Sequence, residues 1–417
     1  MQNEGFSLRI KKSSLGTIFL IILMIPFIQS RTYTEMPAII GNFYNVGALV
    51  SATIFFIRAI LFNRKGLQMK NIWLFLAFWV CYIFITMAFL YSSTSTVLHQ
   101  AYIYLGLIVG VNHEIRKNPT RLLFSLTFIY TVLTLANLIL MFLFPKGLYA
   151  VSTYHSALLL GDDNAIAFVV LPGVAISLIY SFYKYGKLKL FALIELVAAG
   201  ISFIVASAIS AIVSYIVFVV FFILVFRGIK LSPYFFIIAF FAAVFFIFTG
   251  STNSLISDII VNVFHKTVTY SGRVTLWTQA LQMISKSPIF GYGGFFKVGS
   301  FVSENGLWRY PCHTPYLQIL LDGGIVLFGI FVSIIVKAFA SLSKIKNNVC
   351  AQILIIGMFS IMLNYIFEQS TLLHLFIMCT IAMNSDVFSN AADRIVKVKR
   401  KKGKAEPQSA ANEAAAS

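Results

Sequence analysis

The sequence predicts an all-α, polytopic integral membrane protein, and its composition and the spacing of its apolar runs carry that prediction. Of the 417 residues, 59% are hydrophobic and only 11% are charged, which suits a chain surrounded by lipid rather than by water. A helix needs roughly 20 apolar residues to cross a bilayer, and twelve runs are close to that length. They lie near residues 13–29, 43–61, 72–91, 97–111, 122–144, 164–183, 190–205, 208–226, 233–249, 316–336, 349–366 and 371–386.

The formal charge of +18 is explained by the orientation of the chain in the membrane rather than by a polyanionic partner. A nucleic-acid binder gathers its basic residues on one folded face, whereas here the basic residues lie between the apolar runs. With the amino terminus placed in the cytoplasm, 25 of the 32 Lys and Arg residues lie on the inner side, as the positive-inside rule requires. We therefore expect both termini to be cytoplasmic and no nucleic-acid partner.

The runs divide the chain into a membrane domain and two tails. Residues 1–12 are expected to form a short cytoplasmic tail, residues 13–386 the membrane domain, and residues 387–417 a basic, disordered cytoplasmic tail. The first run lacks a small-x-small cleavage site, so it is interpreted as a retained span. One outer loop, residues 250–315, is much longer than the others, and we expect the chemistry to lie there.

A short amphipathic helix is predicted within this loop, from Arg273 to Ser285. Its apolar residues recur at intervals of three and four, which is helical spacing; they are Val274, Trp277, Leu281 and Ile284. Ser271 and Gly272 are suitable N-cap residues, and Pro288 marks a stop. The helix is expected to lie on the outer membrane surface with its tryptophan at headgroup depth.

Arg273 stands in the first turn of that helix, where a cation is electrostatically unfavourable because the helix dipole already makes this end positive. An anion bound there would reverse the cost, since a helix N-terminus and a guanidinium both offer donors to phosphate oxygens. The site is therefore a candidate cradle for a phosphate or diphosphate. The alternative is an arginine that reaches out to a lipid phosphate.

The glycines of "GYGGFF", residues 291–296, have two interpretations. They could let the backbone approach a ligand closely, or they could form a turn between the loop helix and the next segment. The stretch lacks the Lys-Ser/Thr ending of a phosphate-binding P-loop.

"PCHTP", residues 311–315, places His313 just outside the next span. Thr314 and Pro315 are suitable N-cap and first helical residues. An imidazole at the positive end of a helix tends to be neutral, so it could act as a base on an alcohol; the alternative is a histidine that only hydrogen-bonds the mouth of the helix. Cys312 is a poor nucleophile partner for it, because adjacent side chains rarely point at each other.

Ionisable residues inside the predicted spans are also candidates for function. Asp322 lies nine residues after His313, roughly 13 Å away along a helix, so it is expected to support the structure near Gly323 and Gly324 rather than to orient the imidazole. Glu195 and His374 are comparable residues without a partner visible in the sequence.

Two segments in order, "SGRVTLW…SPIFGYG" (271–293) and "HTPYLQILLDGGI" (313–325), resemble the bacterial O-antigen ligase and Wzy-type polysaccharide polymerase superfamily. Its members carry a G-R-x-x-x-W segment in an outer loop, then a P-x-x-G-x-G turn, then an H-[NT]-x-x-L segment that opens the next span. A weaker match is "GDDNAIA" (161–167), which resembles the family's G-x-x-N-x-x-A. The resemblance spans roughly residues 161–330.

The resemblance implies a membrane glycosyltransferase of the GT-C-like class in the bacterial cytoplasmic membrane. The donor would be an oligosaccharide on undecaprenyl diphosphate, the acceptor a glycan hydroxyl on the outer face, and no cofactor or metal is implied. Arg273 would hold the diphosphate and His313 would be the base. The other candidate substrate-binding residues are Arg309, Trp277, Gly291, Gly293 and Asn164.

The sequence departs from the family at the start of the eighth span, where Ala208 replaces a frequent arginine. A second contact to the diphosphate could then come from Arg309, Lys297 or Arg31. Because polymerases vary more in such motifs, a polymerase of O-antigen, capsule or exopolysaccharide is favoured over a ligase. A lipid-linked oligosaccharide flippase is the alternative from another class, and a chain-length regulator and a flippase are possible partners of the enzyme.

Overall fold

The protein is nearly all helical. The computed structural model describes residues 12–28, 38–62, 68–89, 94–150, 156–161, 165–250, 273–303, 306–368 and 370–389. Its helices in chain order are α1 Lys12–Met24, α2 Ala38–Ile57, α3 Met69–Ala88, α4 Thr94–Lys117, α5 Pro119–Leu143, α6 Ala167–Tyr185, α7 Leu190–Val205, α8 Ile209–Phe226, α9 Pro233–Gly250, α10 Arg273–Lys286, α11 Pro315–Ser343, α12 Val349–Phe367 and α13 Leu373–Met383.

Each of the twelve apolar runs coincides with a helix, so the predicted all-α, polytopic membrane fold is confirmed. Within the described residues, eight helices are long and apolar enough to cross a membrane; these are the candidate spans of α2 to α6, α8, α11 and α12. Four further apolar helices are shorter, at 10–17 residues, and cover 14–27, 190–205, 233–244 and 373–383.

The centre of the bundle is formed by α6 and α12, the two most buried of the eight candidate spans. Helix α6 packs against α5, α7 and α12, and α12 also contacts α8, α9 and α11. Small residues allow the two central helices to approach closely. A Cβ atom added at Gly357 of α12 would lie 2.7 Å from the Cβ atom of Ala175 on α6.

Two buried ionisable side chains of the bundle, Glu195 and His374, have polar partners on a neighbouring helix. Glu195 of α7 accepts a hydrogen bond from the Thr134 hydroxyl at 3.0 Å, and His374 of α13 lies with its Nδ1 atom 2.9 Å from the Tyr130 hydroxyl. Neither pairing could be predicted, because each joins residues that are far apart along the chain. Both contacts tie a helix to α5.

The described part of the long loop contains α10 and a two-stranded antiparallel hairpin. The hairpin pairs β3, Val298–Ser303, with β4, Gly306–Tyr310; a second, two-residue pairing joins β1, Tyr149–Ala150, to β2, Ser156–Ala157. The sequence predicts short helices in the loop, and the hairpin is an addition to them. Residues 251–272 of the loop, including Ser271 and Gly272, lie outside the described residues.

Helix α11 is interrupted toward its amino-terminal end, and the glycine turn of the loop fills the interruption. Gly324 has φ 60° and ψ −163°, which breaks the helical backbone. The free N–H groups beyond the break are satisfied by the loop: Ile325 N–H donates to the Pro288 carbonyl at 2.8 Å. The loop is thereby attached to the helix that begins just after His313.

Candidate active site

Within the described residues, helix α10 runs from Arg273 to Lys286 and ends shortly before Pro288, as predicted. Its buried face packs on α11, and Trp277, Ala280 and Leu321 belong to one apolar cluster there. Leu281, another residue of the predicted apolar face, is 49% exposed. The helix is therefore rotated so that its tryptophan points into the protein.

Arg273 forms an ion pair with Glu368, through Nη2 and Oε1. Glu368 is the C-cap residue of α12, and its side chain is 9% exposed against 21% for that of Arg273. The carboxylate holds the guanidinium in one place and offsets its unfavourable position in the first turn of α10. Sequence reasoning missed Glu368; its only signal was an acidic residue directly after a predicted span on the outer side.

Trp277 connects α10 to the segment that carries the histidine. Its ring is 3% exposed, and Nε1–H donates to the Cys312 carbonyl at 3.1 Å. A buried indole needs such an acceptor. The contact fixes the residue that immediately precedes His313, and the predicted direct role of Trp277 in substrate binding stays a prediction.

His313 has a left-handed backbone with φ 56° and is partly exposed. Residues other than glycine adopt this conformation at a cost of about 1–2 kcal/mol, and such conformations persist only where their surroundings hold them. They cluster at functional sites, although this association alone does not identify one.

Helix α11 begins at Pro315 with Thr314 at the N-cap position, as predicted. The Thr314 hydroxyl makes no capping bond to its own helix and instead donates to the Tyr365 carbonyl of α12 at 3.0 Å. The residue after His313 is therefore tied to α12, just as the residue before it is tied to α10.

These contacts bring the predicted catalytic segments to one end of α12. Arg273 meets Glu368, and Thr314 meets Tyr365, which is three residues earlier on the same helix. Arg273 and Trp277 are one helical turn apart, about 6 Å along the axis. The first turn of α10 and the segment around His313 thus share one location, although they are distant in the sequence.

The glycine turn packs directly on the backbone of α11. A Cβ atom at Gly291 would lie 2.3 Å from the Leu321 carbonyl oxygen. Tyr292 N–H donates to that carbonyl at 2.7 Å, and Gly293 N–H donates to the Asp322 carbonyl at 2.9 Å. Close approach between two backbones accounts for these glycines, and a contact of Gly291 or Gly293 with substrate stays a prediction.

The other candidate residues lie at the hairpin, at the start of α8 or outside the described residues. Arg309 lies on β4, paired with Ser300 of β3, and Lys297 is exposed just before β3. Ala208 is buried at the N-cap of α8, the predicted position. Asn164 and Arg31 lie outside the described residues.

Cys312 does not fit the role of a nucleophile. It is fully buried, and burial raises the pKa of its thiol, to which the nearby Asp322 carboxylate adds. The thiolate is therefore disfavoured, and a thiol without thiolate character is inert. The backbone of Cys312, through its carbonyl, is the part that contacts the site.

Residues 193–332 match the family model described as O-antigen ligase. The match covers α7 to most of α11 and includes Arg273, Trp277, Gly291, Gly293, Arg309 and His313. The weaker motif at residues 161–167 lies before it. No curated protein matches the chain. The protein is thus a nearly all-helical membrane protein in which residues 193–332 match the O-antigen ligase family model, and the resemblance of this region to the superfamily of O-antigen ligases and Wzy-type polymerases is confirmed.

Proposed function

We propose that this protein transfers a glycan from undecaprenyl diphosphate to a sugar hydroxyl on the outer face of the bacterial cytoplasmic membrane. The observation that supports this most directly is the meeting of α10 and the His313 segment at the end of α12. It puts a cation and an imidazole in one neighbourhood: Arg273 is held by Glu368, and Trp277 bonds the carbonyl next to His313.

Arg273 is proposed to bind the diphosphate. A guanidinium at a helix N-terminus presents several N–H donors to phosphate oxygens. As the bond from the anomeric carbon to the diphosphate oxygen breaks, that oxygen takes the electron pair and gains negative charge. Stabilising this charge is the main task of the site.

His313 is proposed to act as the base. Neutral imidazole accepts the proton of the acceptor hydroxyl while the hydroxyl oxygen forms the new bond to the anomeric carbon. The proton then passes to solvent or to the departing diphosphate. The chemistry requires only cationic donors and one base from the protein, because the lipid diphosphate is already a good leaving group.

Glu368 is proposed to position Arg273 until the donor binds. A diphosphate oxygen and the carboxylate both accept hydrogen bonds from the guanidinium, whose five N–H donors can serve both at once. The carboxylate also limits binding of unrelated anions, since an anion must compete with a charge already in place.

Within the family, polymerisation of O-antigen, capsule or exopolysaccharide repeat units is the favoured activity. Ala208 lies buried at the start of α8, where many members have an arginine, and polymerases tolerate such variation more readily. Arg309, Lys297 and Arg31 are the proposed sources of a second contact to the diphosphate. A chain-length regulator and a flippase are the proposed protein partners.

A ligase that moves the glycan to another acceptor shares the donor chemistry and is the first alternative. A flippase is the second. A flippase is expected to place ionisable groups along a central cavity, whereas Glu195 and Asp322 are buried and hydrogen-bonded between helices.

The glycans that accumulate in a strain lacking the protein distinguish the three activities. We expect lipid-linked single repeat units, which are the product of a lost polymerase. Long chains that stay unattached to their final acceptor would instead identify a ligase. Intermediates trapped on the inner leaflet would identify a flippase and contradict the proposal.

A further inference from the structure

We infer that Gln318 and Asp322 are positioning residues for His313. They hold the backbone on the amino-terminal side of the imidazole in the geometry that glycan transfer needs. This inference rests on the proposed role of His313 as the base. The two residues lie on successive turns of α11, and neither belongs to the proposed catalytic pair.

Asp322 is the anchor of a buried hydrogen-bond network. Its side chain is 4% exposed. One carboxylate oxygen accepts from the Tyr82 hydroxyl at 2.6 Å, and the other accepts from Gln318 Nε2 at 2.8 Å and from Phe296 N–H at 3.1 Å. A single carboxylate thus joins α3, α11 and the end of the glycine turn.

Gln318 carries the connection from Asp322 to the histidine segment. Its Nε2 also donates to the Phe296 carbonyl at 2.7 Å, and its Oε1 accepts from Cys312 N–H at 3.3 Å. The amide is oriented by its two acceptors, so its oxygen can point only toward Cys312. The distance along α11 that separates Asp322 from His313 is therefore bridged by the side chain between them.

The backbone around His313 needs this support because its left-handed conformation is unfavourable by itself. Three hydrogen bonds hold it: Cys312 N–H to Gln318, the Cys312 carbonyl to Trp277, and the Thr314 hydroxyl to Tyr365. Two of these reach across to other helices. The bond to Gln318 fixes the direction in which the chain leaves the hairpin and enters the turn.

A small displacement of the imidazole is expected to affect the chemical step more than donor binding. Proton transfer requires the base within hydrogen-bond reach of the acceptor hydroxyl, and misplacement of about 1 Å can cost 10²-fold in rate. Binding of the diphosphate depends on Arg273 instead. Loss of the positioning network should therefore lower kcat while KM for the lipid-linked donor stays the same.

The test compares Gln318→Met with Gln352→Met in the full-length protein. Both glutamines are buried and each makes three side-chain hydrogen bonds. Gln318 bonds two backbone groups and the Asp322 carboxylate, whereas Gln352 bonds the backbone of Leu231 and Lys346 at the opposite end of α12. The donor is the lipid-linked glycan extracted from a strain lacking the protein. We expect Gln318→Met to lower kcat about tenfold, which corresponds to loss of one to two hydrogen bonds, and Gln352→Met to leave kcat unchanged.

The same substitution in a His313→Asn background shows whether Gln318 acts through the imidazole. Asparagine tolerates the left-handed conformation, so the segment can keep its shape without a base. We expect Gln318→Met to change the single-turnover rate there by less than about twofold, because the group that it positions is gone. Equal losses in both backgrounds, or an equal loss in Gln352→Met, would overturn the inference.

Asp322→Asn provides the conservative rescue. Its Oδ1 still accepts from Gln318, and its amide can donate to the Tyr82 hydroxyl, so we expect kcat within about threefold of the unaltered protein. Asp322→Leu should lose as much as Gln318→Met. Undiminished transfer by His313→Asn would show that His313 is not the base, which contradicts the proposed function. Equal losses from Gln318→Met in the two backgrounds would overturn only the positioning role.

Discussion

Replacing Gly291 by alanine tests whether the glycine turn serves backbone packing. The new Cβ atom would lie 2.3 Å from the Leu321 carbonyl oxygen and 2.7 Å from the Gly323 nitrogen, and φ is +64°. The left-handed backbone costs about 1–2 kcal/mol and the overlap about 1–3 kcal/mol more. We therefore expect the free energy of unfolding to fall by about 2–5 kcal/mol.

Two other glycines separate the contributions. Gly228 has φ +90°, and a Cβ atom added there would have no neighbour within 4 Å, so Gly228→Ala isolates the backbone cost of about 1–2 kcal/mol. Gly329 lies within α11, and a Cβ atom there would also meet nothing within 4 Å. Alanine at Gly329 should be neutral or stabilising by up to about 1 kcal/mol.

The assay is thermal unfolding of the three purified variants in detergent, monitored as the loss of the monodisperse species on heating. The expected order of stability is Gly329→Ala, then Gly228→Ala, then Gly291→Ala. If Gly291→Ala unfolds at the same temperature as Gly228→Ala, the close approach to α11 is not what requires the glycine. If Gly291→Ala keeps full stability but transfers more slowly because the KM for the donor is raised, the glycine is needed for ligand binding instead.

Three further predictions concern the site itself. Glu368→Gln should lower both kcat and KM for the donor, because the guanidinium of Arg273 loses its positioning partner and also its competing anion; an unchanged KM would contradict the competition. Trp277→Phe removes the indole N–H and also part of a buried ring, so it should cost about 1–3 kcal/mol of stability, with a lower kcat; thermal unfolding and a transfer assay measure both. Cys312→Ala should retain transfer, and the Cys312 thiol of the folded protein should resist maleimide, because burial raises the pKa of the thiol; rapid labelling would refute this.

The positions of the helices could be predicted from the sequence because the bilayer imposes one length on every span. Local signals also predicted two boundaries near the site. Helix α10 ends at Lys286, shortly before Pro288, and α11 begins at Pro315, where a residue that lacks an N–H fits the first helical position.

The orientation of α10 could not be predicted in full. Spacing alone placed Trp277 and Leu281 on one apolar face, but both water and lipid surround an interfacial helix, so its apolar residues need not all turn toward the protein. Leu281 is exposed, whereas Trp277 is buried because its N–H finds the Cys312 carbonyl. That acceptor lies 35 residues away in the sequence.

The partners of the charged residues were the least predictable part of the site. Glu368 lies 95 residues from Arg273, and no sequence motif links an acid after one span to a cation in an earlier loop. Asp322 was expected to act only near the glycines. Its connection to His313 depends on Gln318, whose side chain reaches back to Cys312 N–H, and such a path becomes visible only when the side chains are placed.

The most direct test of the account is the rate of glycan transfer by purified Arg273→Ala, with lipid-linked glycan as donor and Lys286→Ala as control. Lys286 is exposed in the last turn of the same helix, so its replacement removes an equal charge away from the proposed site. We predict that Arg273→Ala transfers about 10²- to 10³-fold more slowly, as for loss of one charge-stabilising donor, while Lys286→Ala transfers normally. Transfer by Arg273→Ala at the rate of the control would contradict the proposed diphosphate site.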